Sequence, residues 1–271
     1  MTLEFEELKK LAKLLQSKTG IYLDDEKLKR YKKRIEEIIR KSGIENFHSY
    51  YHQIRFIKNQ ELLQELIEAV TVNETYFWRE HEEFEILVNE ILPKFITPND
   101  LKRVRILVLP SSSGEEVYSI MIAISEKKEV YERLHIEIVG ADIDSNMIQK
   151  AKKGIYSRRS VEKLPKEYIE KYLTKIGDFY QIDRNLIRYA NFVQANLFDR
   201  SLKMRLGEFD IVFSRNMLIY FDDQTKQKAF EKFYKMIKPS GYLFLGHADA
   251  NGIDKRKFKP VKKGYNVFMK S

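Results

Sequence analysis

The chain has 271 residues, 43% of them hydrophobic and 13% aromatic, with a formal charge of +9 and no cysteine. That length and apolar content support a packed core, in one large domain or in a catalytic domain with a small accessory one, and exclude wholesale disorder. Lack of cysteine excludes a disulfide framework, a thiolate nucleophile and a Cys-zinc site, and the five histidines show no metal-ligand spacing, so no metal site is expected.

The opening MTLEFEELKK has no apolar signal region and no run reaches the length of a membrane span, so a cytoplasmic location is expected. That expectation removes the glycosylation reading of Asn73-Glu74-Thr75. Excess positive charge suits an acidic partner, whether nucleic acid, an anionic membrane surface or an acidic protein. The plainer account is that lysine keeps the chain soluble, and a Lys- and Glu-rich surface would also suit a heat-tolerant organism.

Residues 1–70 read as a small N-terminal all-helical domain. LEFEELKKLAKLLQSKTG sets Leu3, Leu8, Leu11, Leu14 and Leu15 near one face and stops at Gly20. In DDEKLKRYKKRIEEIIRKSG, Asp24 or Asp25 can cap the helix, Leu28, Tyr31, Ile35, Ile38 and Ile39 form the buried stripe, and Gly43 closes it. Lysines and arginines crowd the first half of its exposed side. NFHSYYHQIRF and NQELLQELIEAVTV supply further helix.

From residue 71 the pattern changes. HEEFEILVNEILPKFI is one more helix, and then strands alternate with helices: RVRILVLP, VYSIMIAISEKK, HIEIVGADID, SNMIQKAKKGIYS, FDIVFSRNMLIYF, DDQTKQKAFEKFYKMIKPSG and GYLFLGHAD. This alternation predicts an α/β domain over 71–271, a mostly parallel sheet with helices on both faces. NVFMKS is expected as an edge strand. Residues 174–195 break the alternation, and FYQI, LIRY and NFVQ are expected as short antiparallel strands of a small β-subdomain.

Ligands of open α/β sheets lie at the carboxyl ends of strands, and three strand ends here carry polar groups. LPSSSGEE has small residues and a helix start, but it is neither G-x-G-x-x-G nor a phosphate loop, and Glu115-Glu116 would repel a pyrophosphate. An ordinary loop with an acidic first turn would look the same. In ADID, Asp142 is placed to accept from a ribose diol and Asp144 to cap the next helix. In FDIVFSRNMLIYFD the apolar run is interrupted by Ser214, Arg215 and Asn216, which need partners, either a ligand or the loop backbone. Asn196 and Leu197, just before that strand, could border a base. Together these suit a phosphate-free nucleoside carrying a cation, which describes S-adenosylmethionine.

TVNETYFWRE, SSSGEEVYSI, ADIDSNMIQKAKKGIY, NLFD, FDIVFSRNMLIYFD and GYLFLGHAD occur here in the order found in the CheR-type chemotaxis receptor methyltransferases, which the chain resembles over nearly its whole length. The resemblance implies a Rossmann-like S-adenosylmethionine-dependent methyltransferase sheet. The implied reaction is methyl transfer to glutamate side chains on chemoreceptor cytoplasmic helices, with S-adenosylhomocysteine as by-product. Carried over by motif, it implies cofactor contacts by Asn73, Thr75, Arg79, Glu116, Asp142, Asn196, Leu197, Arg215 and Asn216. Arg79 and Tyr220 are implied beside the acceptor carboxylate, with Phe77 and Trp78 fixing the segment against the core. Lys27, Lys29, Arg30, Lys33, Arg34 and Arg40 would face acidic receptor helices. The chain departs from the family at Pro110 and Ser111, at His247-Ala248-Asp249 where H-S-E is more common, and in a β-subdomain that looks too short to need a receptor tether peptide. It is expected to be a monomer that reaches the membrane only through the receptor and binds no nucleic acid, since no N-P-P-F/Y/W base pocket occurs. The alternative is a catalytically silent module that binds S-adenosylmethionine to regulate a partner.

Overall fold

The computed structural model describes residues 2–71, 73–98, 101–127 and 132–271. The chain divides into two compact units, Met1–Val72 with Ile219–Lys226, and Asn73–Leu218 with Gln227–Ser271.

The first unit is helical. Helix α1 (Phe5–Thr19) opens on a reciprocal capping box between Glu4 and Glu7 and ends at Gly20, whose φ of 81° is the left-handed turn that glycine adopts freely. Asp24 caps α2 (Asp25–Lys41) by accepting from the Lys27 N–H at 2.8 Å. Helix α3 (Phe47–His52) runs into a π-helical turn, Gln53–Ile57, and α4 (Gln60–Val70) follows. Leu3, Leu8, Leu11, Leu14 and Leu15 are buried, as are Leu28, Ile35 and Ile39, while Tyr31 and Ile38 are half-buried. Arg34 ties α2 to the end of α4 by donating to the Glu68 carbonyl at 2.7 Å. The later segment joins this unit through the Tyr22 N–H, which donates to the Tyr220 carbonyl (2.9 Å), and Gln16, which donates to Asp222 (2.7 Å).

The second unit holds a seven-stranded sheet in the order β6-β2-β1-β7-β8-β10-β9. Its strands are β1 (Lys102–Val108), β2 (Leu134–Asp142), β6 (Ala190–Gln194), β7 (Phe209–Ser214), β8 (Ile237–Leu245), β9 (Phe258–Pro260) and β10 (Val267–Lys270). Strands β6, β2, β1, β7 and β8 run parallel, and β10 is antiparallel to both β8 and β9. Central strand β7 is buried at every position, as expected of a parallel strand covered on both faces. The strand order reverses between β1 and β7, which opens a crevice at their carboxyl ends. Helix α5 (Glu82–Ile86) precedes β1, α6 (Glu115–Ser125) follows it, and α7 (Ser145–Lys153) follows β2. Among the described residues no helix is long and apolar enough to cross a membrane.

Four sequence expectations change. The small antiparallel sheet is β3-β5-β4, built from Ile155–Ser157, Phe179–Ile182 and Leu173–Ile176, so it begins well before residue 174. LIRY lies in a helix, Arg184–Tyr189, and NFVQ is β6 of the main sheet, paired in parallel with β2 from Ile138↔Ala190 to Asp142↔Gln194. The apolar run after Asn216 does not resume a strand, because Leu218–Tyr220 is a 3-10 turn. NVFMKS is not the sheet edge: β10 is bonded on both sides, and β9 lies outside it.

Candidate active site

The crevice is built on the loop that leaves β1. The Leu109 N–H donates to the Phe213 carbonyl (2.9 Å), and after a cis Leu109–Pro110 bond the Ser111 N–H donates to the Ala141 carbonyl (2.8 Å). Loop 109–114 is thus bonded to both neighbouring strands. Gly114 has a φ of 95°, and a Cβ there would lie 2.9 Å from Ala151 Cβ and 3.1 Å from the Phe192 ring, so only glycine lets α6 start this close to α7 and β6. Glu115 and Glu116 then diverge. Glu115 is buried and accepts from the Ser113 and Ser160 hydroxyls, both at 2.8 Å. Glu116 turns to the opposite side, toward Arg215.

At the end of β2, Asp144 caps the following helix, the role the sequence suggests for it. Asp144 Oδ1 accepts from the Asn146 and Met147 N–H groups and Oδ2 from the Asn73 amide at 2.8 Å. Asp142 is buried and accepts from the N–H groups of Ser112 (2.8 Å) and Asp144 (2.9 Å). Burial, against those two hydrogen bonds, pushes its carboxyl up to about 6. The Ala195 N–H donates to the Asp142 carbonyl at 2.8 Å, which sets Asn196 and buried Leu197 beside the same strand end.

The 73–80 block is fastened by its backbone: the Phe77 N–H donates to the Ser160 carbonyl (2.9 Å) and the Trp78 N–H to Ser119 Oγ (3.0 Å). Phe77 is fully buried edge-on to Tyr156 at 4.8 Å, and Trp78 packs on Tyr168 at 5.2 Å. Both Trp78 (φ 65°) and Glu80 (φ 51°) are left-handed, an unusual conformation for such side chains. It turns Arg79 and Glu80 into the crevice. Arg79 donates to Asn216 Oδ1 (3.0 Å) and to the Glu74 carbonyl (3.2 Å). Thr75 is half-buried in the same block.

Arg215 sits at the end of β7 with its side chain fully buried. Around it lie Glu83 at 3.0 Å, Glu80 at 3.2 Å and Glu116 at 3.8 Å, with the Phe84 ring 5.2 Å away. It also donates to the Arg79 carbonyl. Burial, partly offset by Arg215, pushes Glu83 up to about 8 and raises Glu116 as well. Glu80 also feels burial, but Arg215 and His247 hold it below the usual carboxylate range. His247 Nδ1 is 3.3 Å from Glu80, and the buried Asp249 accepts from the Asn216 N–H.

The buried hydroxyls of Ser111, Ser112 and Ser214 have no hydrogen-bond partner here, while Glu83 Oε2 and Glu116 Oε1 meet Arg215 only as ion pairs at 3.0 and 3.8 Å. Such atoms are costly to bury unless something meets them. They gather at the carboxyl ends of β1 and β7, the switch point of the sheet. Glu80, Glu83, Glu116 and Asp249 gather there beside the guanidiniums of Arg79 and Arg215, and with Glu83 and Glu116 pushed toward their neutral forms the site is rich in oxygen acceptors for hydroxyl and ammonium groups.

The structure therefore brings Asn73, Arg79, Glu116, Asp142, Asn196, Leu197, Arg215 and Asn216 to neighbouring strand ends of one unit. Tyr220 belongs to the other unit, where it is half-buried and bonded to Tyr22. On α2, Lys29, Arg30, Lys33, Arg34 and Arg40 are exposed, while Lys27 is half-buried 3.9 Å from Asp24. Sequence reasoning passed over Glu80, Glu83 and Asp249. Glu80 had one signal, an acid directly after the arginine of the aromatic block. Glu83 had none, since acids in a first helical turn are ordinarily solvated.

Residues 73–267 match the family model described as CheR methyltransferase, SAM binding domain, and residues 6–71 match CheR methyltransferase, all-alpha domain. Chemotaxis protein methyltransferase 2 of Vibrio cholerae is 40% identical over 234 residues, covering 86% of this chain and 81% of that protein. The chemotaxis protein methyltransferase of Campylobacter jejuni is 33% identical over 246 residues, covering 90% of this chain and 88% of that protein. The solved structure of human N-acetylserotonin methyltransferase with SAM aligns at a TM-score of 0.37 and 12% identity, over 77% of this chain and 43% of that one. The chain belongs to the CheR methyltransferase family, and its larger domain is an S-adenosylmethionine-binding methyltransferase domain.

Proposed function

We propose that this chain methylates glutamate side chains on the cytoplasmic helices of chemoreceptors, giving glutamate methyl esters in chemotactic adaptation. The observation that carries the reading is the carboxyl-rich cluster at the switch point, where Glu80, Glu83 and Glu116 surround Arg215 and Arg79 donates to Asn216. The names of the relatives, chemotaxis protein methyltransferases, support the pathway. The site of action would be the cytoplasm, with the chain reaching the membrane only through the receptor.

When bound, S-adenosylmethionine supplies an electrophilic methyl group on a sulfonium. Asp142 would accept from the ribose hydroxyls, and Asn196 and Leu197 would border the adenine. Glu116 would face the amino group of the amino-acid tail, because at 3.8 Å it is the carboxyl that Arg215 satisfies least. Asn73 and Thr75 would line the same pocket, and Arg215 and Asn216 would close it.

A glutamate with a reference pKa near ~4.3 is already a carboxylate at neutral pH, so no general base is needed. What the protein must do is dehydrate and align that carboxylate, and alignment supplies roughly 7–11 kcal/mol in favourable systems. Arg79 is suited to orient it without quenching it. Its guanidinium already gives hydrogen bonds to Asn216 and the Glu74 carbonyl, so an incoming carboxylate receives only part of its donor capacity. Tyr220 would be the second orienting group, and the exposed cations of α2 would meet the acidic receptor helix.

The test is incubation with methyl-labelled cofactor and a receptor cytoplasmic fragment. Base-labile label on the fragment is expected, with the rate reduced in Arg79→Ala and Tyr220→Phe. Cofactor binding without transfer would overturn the enzymatic reading in favour of a silent regulatory module, and unchanged rates in both variants would remove the two assigned roles.

A further inference from the structure

The His247-Ala248-Asp249 segment is given no part in the reaction described above, yet Asp249 is fully buried. Its Oδ2 accepts from the backbone N–H of Asn216. Asn216 has a φ of 59°, and its own Oδ1 accepts from Arg79 Nη2 at 3.0 Å. Carboxylate, peptide N–H, side-chain amide and guanidinium therefore form one chain across three segments. We infer that Asp249 is a positioning residue: by gripping the Asn216 backbone it aims Asn216 Oδ1 at Arg79 and so fixes the direction of that guanidinium. The inference rests on Arg79 belonging to the cofactor site and not on the identity of the methyl acceptor.

Three observations support the grip. A Cβ on Gly246 would lie 2.8 Å from Asp249 Oδ2 and 2.9 Å from the Asn216 nitrogen, so the end of β8 is glycine where carboxylate and backbone converge. The turn carrying Asp249 is itself fixed: the Asp249 N–H donates to the Gly246 carbonyl (3.0 Å), and the Asn266 amide donates to the Gly246 and His247 carbonyls (3.0 and 3.2 Å). Asn tolerates the left-handed conformation better than most residues, but holding it still requires its surroundings to define it. Among the described residues, the other close contacts of the Arg79 guanidinium lie in its own segment, the Glu74 carbonyl, the Tyr76 ring at 5.5 Å and Glu80 at 3.8 Å, while the Arg79 carbonyl accepts from Arg215. Asn216 is the contact that draws the guanidinium toward β7, and Asp249 decides where Asn216 stands.

Calorimetric titration with S-adenosylhomocysteine tests this without any receptor. Asp249→Ala is expected to weaken binding about tenfold, the scale of one hydrogen bond to a charged group. Asp249→Asn, which keeps an acceptor of the same size, is expected to retain most of the affinity. Asn216→Gly keeps the backbone N–H and the left-handed φ but removes Oδ1, and adding Asp249→Ala to it is expected to cost nothing more. Wild-type affinity in Asp249→Ala, or losses that multiply in the double variant, would overturn the inference. Should Asp249→Ala fail to fold, the Arg79 Nε–H resonance decides: it must broaden or shift in Asn216→Gly, and an unmoved signal overturns the proposal. Loss of receptor methylation with these titrations intact would count against the acceptor assignment alone.

Discussion

Glu83 Oε2 and Arg215 Nε lie 3.0 Å apart, with the Arg215 side chain fully buried and that of Glu83 nearly so. This pair is the deepest part of a cluster in which one cation serves three carboxyl groups, and that crowding has consequences for their protonation and for stability.

The Glu83 carboxyl is raised by burial from 4.5 to about 8. Below pH 4.5 folded and unfolded chains both hold its proton, so it contributes no pH dependence. Between there and about 8 the folded state keeps a proton that the unfolded state has lost, so stability falls as pH rises through this window. Glu83→Gln removes that linkage. Thermal unfolding from acid to mildly alkaline pH is expected to show a smaller decline in Tm for the variant than for the wild type. Parallel curves would show that Glu83 is ionised throughout.

Arg215 and Arg79 should differ sharply in what their removal costs. Arg215→Met strands Glu80, Glu83 and Glu116 without their cation, and breaking a buried pair of this kind costs about 3–5 kcal/mol. Arg79 is part-exposed, and its ion pair with Glu80 spans 3.8 Å, so Arg79→Ala should cost less than about 1 kcal/mol. Urea unfolding of the two variants checks the contrast. Equal losses would mean that Arg215 is a replaceable pocket wall and not the centre of the cluster.

The parts of this site that were legible in the sequence are those where a local rule is broken. Ser214-Arg215-Asn216 interrupts an apolar strand, ADID ends one in acids, and 109–114 ends another in small residues. Each break falls at a carboxyl end of the sheet. The cluster itself was hidden because its members stand at 80, 83, 116 and 215, and only the packing of α5 and α6 against β7 brings them together. Among the folds of the chain, α1 and α2 declared themselves through long periodic stripes and caps. NFVQ and LIRY did not, because runs of four residues carry too few periods to separate a strand from a helical turn, and the partner that settles β6 is β2, about fifty residues earlier. Three residues after a helix, Ile155–Ser157, are shorter still.

An Asp142 that accepts from the ribose would link cofactor affinity to pH. Its carboxyl stands at about 6, so it is ionised at neutral pH and becomes protonated as pH falls through that value. Protonation removes acceptor capacity that a ribose diol would use. S-adenosylhomocysteine affinity is therefore expected to weaken, relative to neutral pH, on the acid side of about 6. Asp142→Asn should bind weakly and with a flat profile across the same range. A wild-type profile as flat as the variant's would separate Asp142 from the ligand.

The exposed cations of α2 make the receptor assignment testable apart from the chemistry. Lys29, Arg30 and Lys33 are exposed, whereas Arg34 already donates to the Glu68 carbonyl and so has a structural use. Reversing Lys29, Arg30 and Lys33 to glutamate should leave the fold and S-adenosylhomocysteine affinity intact while raising KM for an acidic receptor fragment about tenfold or more at low salt, since steering of this kind changes encounter rates by 10–10³. The defect should shrink as salt rises, because exposed charges farther apart than a Debye length of about 10 Å at 0.1 M are largely screened. Arg34→Glu should add a loss of helical-unit stability that the triple reversal lacks. A KM that the triple reversal leaves unchanged at every ionic strength would move the receptor contact off α2.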